Sequence, residues 1–281
     1  MGHSHLIMKD VPMSKPSDRI PVVMALSGLD PTGGAGIQAD IEAIASMGCH
    51  TLPIVTALTV QTSQNVLRYE SIDPLLLIEQ ARAVLEDIPV NAFKLGMLGN
   101  TQTIEAVHGI LQDYPDIPVV LDPIIAAGGG ATLSENDAIA AMRELLFPLT
   151  TIITPNSEEA RLLAKQADTL DACAEQLQDM GCEYVLISGT HETTPEVTNT
   201  LYTNHRRLES FSWDRLPHSY HGSGCTLAAS ISAMLAHGLA PFNAVHEAQE
   251  YTWQTLQQGF RPGQGQYFPD RLYWSRGEEE V

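Results

Sequence analysis

The chain has 281 residues, 44% of them apolar and 17% charged, values that describe a globular protein with a sizeable core and exclude a disordered one. Its 15 Lys+Arg face 34 Asp+Glu, for a net charge of -19 at pH 7, and a surface that acidic repels nucleic-acid backbones and anionic membranes; neither is an expected partner. A polyphosphate ligand would have to be met locally, by backbone amides and a divalent metal ion.

Residues 1–19 mix Met, Lys, Asp, Pro and Ser without an apolar run and are expected to form a flexible tail, leaving 20–281 as one domain. A buried strand over 22–27 ends at Gly28, a turn-rich loop follows through Gly36, and Ile37, Ile41, Ile44 and Ala45 then recur at helical spacing to Met47. The alternation continues: strand 52–60, helix 74–87, strand 92–95, helix 101–112, strand 119–121, helix 135–146, strand 151–153, helices 158–164 and 172–180, and strand 184–187. A hairpin is expected near 200–202 and 207–211, then a helix to 237 and another over 244–257. Such an order implies a mostly parallel central sheet with helices on both faces, and in open α/β sheets ligands bind beyond the carboxyl ends of the strands. The loops at 28–36, 96–99, 122–130, 155–156 and 189–191 should converge there. Four cysteines without a C-x-x-C pair suit a reducing cytoplasm.

The segment His221-Gly222-Ser223-Gly224-Cys225-Thr226-Leu227-Ala228-Ala229 joins a glycine-rich turn to a small-residue helix with a thiol at the junction. Crowded amides and the helix start make it an anion site, although glycines of this kind also serve close packing of helix on sheet. Neither G-x-x-x-x-G-K-[ST] nor G-x-G-x-x-G is present, nor H-E-x-x-H, nor G-x-S-x-G.

Gly28-Leu29-Asp30-Pro31-Thr32-Gly33-Gly34-Ala35-Gly36-Ile37-Gln38-Ala39-Asp40, Thr56-Ala57-Leu58-Thr59-Val60-Gln61, Lys94-Leu95-Gly96-Met97-Leu98, Leu121-Asp122-Pro123-Ile124-Ile125, Thr154-Pro155-Asn156-Ser157-Glu158-Glu159 and the glycine turn ending in Cys225 together resemble the hydroxymethylpyrimidine/phosphomethylpyrimidine kinases of thiamine biosynthesis. The resemblance runs over 22–257 and implies a three-layer ribokinase-like α/β fold, with ATP and Mg²⁺ as cofactors. The substrate implied is 4-amino-5-hydroxymethyl-2-methylpyrimidine and then its monophosphate, acted on by a cytoplasmic homodimer. It assigns Gly222, Ser223 and Gly224 to the anion hole and Cys225 to the catalytic base, a thiol that a helix start could lower below its free pKa; the alternative is a small buried cysteine packing the helix.

By the same resemblance Gly28, Asp40, Gln61, Met97 and Ile124 line the pyrimidine pocket, with Asp40 and Gln61 reading the ring edge. Asp122, Asn156, Ser188 and Gly189 fall on the nucleotide side, and Glu159 with Asp122 holds the metal. Read without it, Asp40 and Glu159 are acids on solvated helix faces and Asn156 is a helix N-cap. The chain departs from the family pattern in carrying Gly128-Gly129-Gly130 and Ser188-Gly189-Thr190-His191 where lysines are usual. Alternatives are a pyridoxal or pyridoxine kinase on the same fold and a non-catalytic pyrimidine-binding relative.

Overall fold

Val23 and Ala25 bury on one side of the first strand, β1 (Val22–Leu29), and Met24 and Leu26 on the other, so this strand must be covered on both faces. The computed structural model describes residues 19–125 and 136–276 and shows what covers it. β1 pairs in parallel with β2 (His50–Gln61) and β4 (Ala92–Leu95), and the parallel run continues through β5 (Val119–Leu121), β6 (Ile152–Ile153) and β7 (Tyr184–Ser188). Antiparallel strands close the two edges, β3 (Val66–Ser71) on β2, and the hairpin β8 (Glu196–Thr203) and β9 (Arg206–Asp214) on β7.

Helices α1 (Gly36–Ser46), α7 (Ser223–Ala236) and α8 (Pro241–Gln257) pack on one face, where Ile37, Ala43 and Ile44 meet Val23, Ala25 and Ala229. Helices α2 (Pro74–Asp87), α3 (Thr101–Gln112), α5 (Ser157–Leu163) and α6 (Leu170–Asp179) cover the other through Leu77, Ile104, Val107, Leu163 and Leu177. The expected alternation is therefore present. α4 (Asn136–Ala141) widens to π spacing over Met142–Leu146 and tightens into a 3-10 turn at Phe147–Leu149, where Pro148 can give no amide to an α-helix. The tail expected over 1–19, Arg19 apart, and the Gly128 to Gly130 loop lie outside the described residues.

Two differences from the expected pattern concern the edges. β3 was not expected, because Val66-Leu67-Arg68-Tyr69-Glu70-Ser71 is an edge strand with no fully buried residue and so lacks a run of apolar positions. The expected hairpin is real but longer. Among the described residues no helix is long and apolar enough to cross a membrane.

The strand order β3-β2-β1-β4-β5-β6-β7-β8-β9 reverses its direction of growth between β1 and β4. At such a reversal the loops leaving neighbouring strands turn to opposite faces and leave a crevice between them.

Candidate active site

That crevice is a cleft of about 720 Å³, and the carboxyl ends of five parallel strands contribute to it: Gly28 from β1, Met97 beyond β4, Ile124 and Ile125 beyond β5, Asn156 beyond β6 and Ser188 from β7. The Gly222 to Cys225 turn forms its floor. Gly222 caps α7 at φ 87, a left-handed conformation natural only to glycine, and a Cβ there would collide with the Gly34 carbonyl. The first intrahelical bond in this turn runs from the Thr226 amide to the Gly222 carbonyl, 2.9 Å, so the amides of Ser223, Gly224 and Cys225 precede the helical ladder. They are the donors an anion would meet, reinforced by the helix dipole.

Beneath the floor lies a buried set of charges. Lys94 is wholly buried, its Nζ 2.7 Å from Asp40 Oδ1 and 3.0 Å from Ser27 Oγ. Burial alone would favour its neutral form, but Asp40, Cys225 and Asp122 outweigh that and raise its pKa, so it is an ammonium. Burial pushes Asp122 up to about 6, against the pull of Lys94. Glu159 is pushed to about 8 by burial and then by the Asp122 charge. Its position is fixed by a capping box at the start of α5: the Asn156 carbonyl oxygen of the side chain takes the Glu158 and Glu159 amides, and Glu159 Oε2 takes the Asn156 amide at 3.0 Å.

Glu159, raised by burial and by the Asp122 charge, lines the cleft, and Asp122 stands behind it with Oδ2 buried and unpartnered; both are hard oxygen donors. Among the described residues no three His, Cys, Asp or Glu side chains form a metal cage. Mg²⁺ does not need one, since it is commonly held by one or two carboxylates together with substrate phosphates. The residues present thus fit that ion.

Of the residues expected from sequence, Gly28, Gln61, Met97, Ile124, Asn156, Glu159, Ser188 and the Gly222 to Cys225 turn line one cleft. Gly28 admits Met97, whose Sδ would lie 3.2 Å from a Cβ placed there. Three residues do not line it. Asp40 is fully buried against Lys94 and does not face the ring position; the inward face of α1 carries it together with Ile37 and Ile44. Asp122 lies behind Gly224, and the Gly189 amide is taken by Asn199 Oδ1 at 3.2 Å. The expectation of a lowered thiol is also overturned: burial, Asp122 and Asp40 push Cys225 up to about 12, against Lys94 and the Gly36 amide, and the resting group is a thiol hydrogen-bonded to Asp122.

One constellation escaped the sequence reading. His221 Nε2 lies 2.7 Å from Asp30 Oδ2 and 3.1 Å from Gln61 Nε2, all three at the cleft. Burial would raise the Asp30 carboxyl, but hydrogen bonds from His221 and Thr32 hold it below its ordinary value, so His221 Nε2 carries the proton it donates. The signal was available as an acid and a histidine beside glycine loops, but their partnership spans distant parts of the chain.

The model of the phosphomethylpyrimidine kinase family matches residues 30–270. A hydroxymethylpyrimidine/phosphomethylpyrimidine kinase of Synechococcus elongatus is 37% identical over 253 residues, which cover 88% of this chain and 95% of that one. The thiamine biosynthesis bifunctional protein of Geobacter sulfurreducens is 33% identical over 86% of this chain and half of its own length. Among solved structures, the pyridoxal kinase of Bacillus subtilis in an ADP complex superposes with a TM-score of 0.81 at 26% identity, over 91% of this chain and all of that one.

Proposed function

The chain belongs to the phosphomethylpyrimidine kinase family, and we propose that its cleft transfers a phosphoryl group from ATP to the hydroxymethyl group of 4-amino-5-hydroxymethyl-2-methylpyrimidine, and then to the monophosphate, in thiamine biosynthesis. The observation that carries this reading is the meeting, in one cleft, of the apolar walls Met97 and Ile124, the Gln61 amide and the helix-start amides of the Gly222 to Cys225 turn. The first three suit a flat heteroaromatic ring with an edge to read, and the last suits the charge of a transferring phosphoryl group. Glu159, which lines the cleft, would hold Mg²⁺, which neutralises phosphate charge when bound.

The substrate alcohol must lose a proton as its oxygen attacks. Cys225 Sγ is the acceptor in this reading, and because the resting group is a thiol it gives its own proton to Asp122 in the same step. With a pKa near 6, Asp122 is ionised at neutral pH and can take it. Lys94 keeps the buried set from accumulating negative charge. Phosphoryl transfer itself passes through a loose transition state, so positioning and electrostatic stabilisation outweigh base strength.

A pyridoxal kinase activity is the second reading, favoured by the likeness to the Bacillus subtilis enzyme. Both are tested by one mass-resolved assay with ATP, Mg²⁺ and either the aminopyrimidine alcohol or pyridoxal, which reports mono- and diphosphate separately. Conversion of the pyrimidine to both products is expected; turnover of pyridoxal alone would replace this reading, and no alcohol-dependent loss of ATP would leave a binding protein.

A further inference from the structure

Arg271 takes no part in the chemistry above, yet its guanidinium is only 2% exposed and lies against the back of the anion hole. Nη2 donates to the Gly34 carbonyl at 2.5 Å, Nη1 reaches the Gly33 carbonyl at 3.5 Å, and Nε donates to Thr226 Oγ1 at 2.9 Å. Thr226 Oγ1 passes the connection on by donating to the Gly222 carbonyl at 2.8 Å. A Cβ on Gly222 would lie 2.8 Å from Nη2, which measures how closely the cation backs the turn. The segment that carries Arg271 is itself held, since the Tyr251 hydroxyl donates to the Arg271 carbonyl at 2.8 Å and the Asp270 amide to the Thr255 carbonyl at 2.9 Å.

Two loops of the site are thus joined through one planar fork. The first holds Asp30, which fixes His221, and ends at Gly36, whose amide faces the Cys225 sulfur; the second is the Gly222 to Cys225 turn. Among the described residues only Glu42, 3.1 Å from Nη1 and itself 31% exposed, pairs with the guanidinium. In a chain this acidic, with Arg215 the one Lys or Arg among the described residues that line the cleft, a buried cation behind the amides also strengthens their pull on an anion.

We propose that Arg271 is a positioning residue for phosphoryl transfer: it holds the first glycine loop and the Gly222 to Cys225 turn in one register and lends the turn a buried positive charge. The proposal rests on the kinase reading. Its test is the steady-state kinetics of Arg271→Ala and Arg271→Lys, with folding checked by circular dichroism, and with guanidinium chloride added at millimolar concentration. Arg271→Ala is expected to lose ~10²-fold in kcat with the alcohol KM within ~3-fold, because the lost interaction acts on the transferring group. Lysine, lacking the fork, should restore little, whereas free guanidinium entering the vacated space should recover ~10-fold of the alanine variant's kcat. A folded Arg271→Ala enzyme with kcat within ~3-fold of wild type overturns the proposal, as does a loss that guanidinium fails to restore while KM rises in step.

Should the alanine variant not fold, Thr226→Val cuts the link between the guanidinium and Gly222, and an unchanged kcat there overturns the proposal too. A wild-type protein without alcohol-dependent turnover overturns the kinase reading instead, so the two failures are distinct.

Discussion

Glu159 binds its proton more tightly in the fold than in the unfolded chain, with its pKa rising from 4.5 to about 8, and that difference makes stability depend on pH. Below pH 4.5 both states are protonated and nothing is lost; as pH rises toward 8 the unfolded chain releases the proton that the fold retains, and stability falls. Metal-free protein in chelator should therefore lose Tm between pH 5 and pH 8, and Glu159→Gln, which keeps the capping box, should lose less by on the order of 5 °C. Added Mg²⁺ should raise Tm most at the alkaline end; parallel pH curves for the two proteins would contradict the assignment. At Cys225 the prediction is kinetic. Cys225→Ala should lower kcat by ~10²-fold or more with the pyrimidine KM little changed, and wild-type turnover in that variant would remove the thiol from the proton path.

At the scale of elements, α7 carries a glycine at each end for different reasons. Gly238, at φ 84 just beyond its last turn, has nothing near a potential Cβ, whereas Gly222, at φ 87, has the Gly34 carbonyl and Arg271 against it. Gly238→Ala should cost only the left-handed backbone penalty, ~1–2 kcal/mol by urea denaturation, with activity intact. Gly222→Ala adds a steric clash to that penalty and should cost more and abolish turnover; equal losses would mean that the turn relaxes freely. The helix start was legible in the sequence because Gly222, Ser223 and Gly224 advertise their own local geometry. Asp40 was misread because its partner Lys94 stands on a distant element, β4: helical spacing puts Asp40 beside Ile37 and Ile44, and the ammonium opposite makes a buried acid tolerable there. His221 and Arg271 escaped for the same reason, since each owes its place to residues far along the chain, whereas β3 escaped because an exposed edge strand carries no apolar run.

The molecule as a whole works against its own donor. A net charge of -19 repels a nucleoside triphosphate at long range, and the cleft answers at short range, with backbone amides, Arg215 and the Glu159 carboxylate suited to a divalent ion. Salt shortens the reach of the unfavourable field to ~10 Å at 0.1 M while barely touching the buried interactions of Lys94 and Arg271. The KM for ATP at saturating Mg²⁺ should accordingly fall as ionic strength rises from ~10 to ~100 mM, by ~2–5-fold, with kcat steady. This sign is opposite to that of a site fed by a basic surface, where screening weakens capture. The KM of the uncharged pyrimidine alcohol should not move, whereas that of its monophosphate should fall in parallel with ATP. A rise in KM for ATP with salt would show that local cations at the cleft govern its electrostatics rather than the global charge.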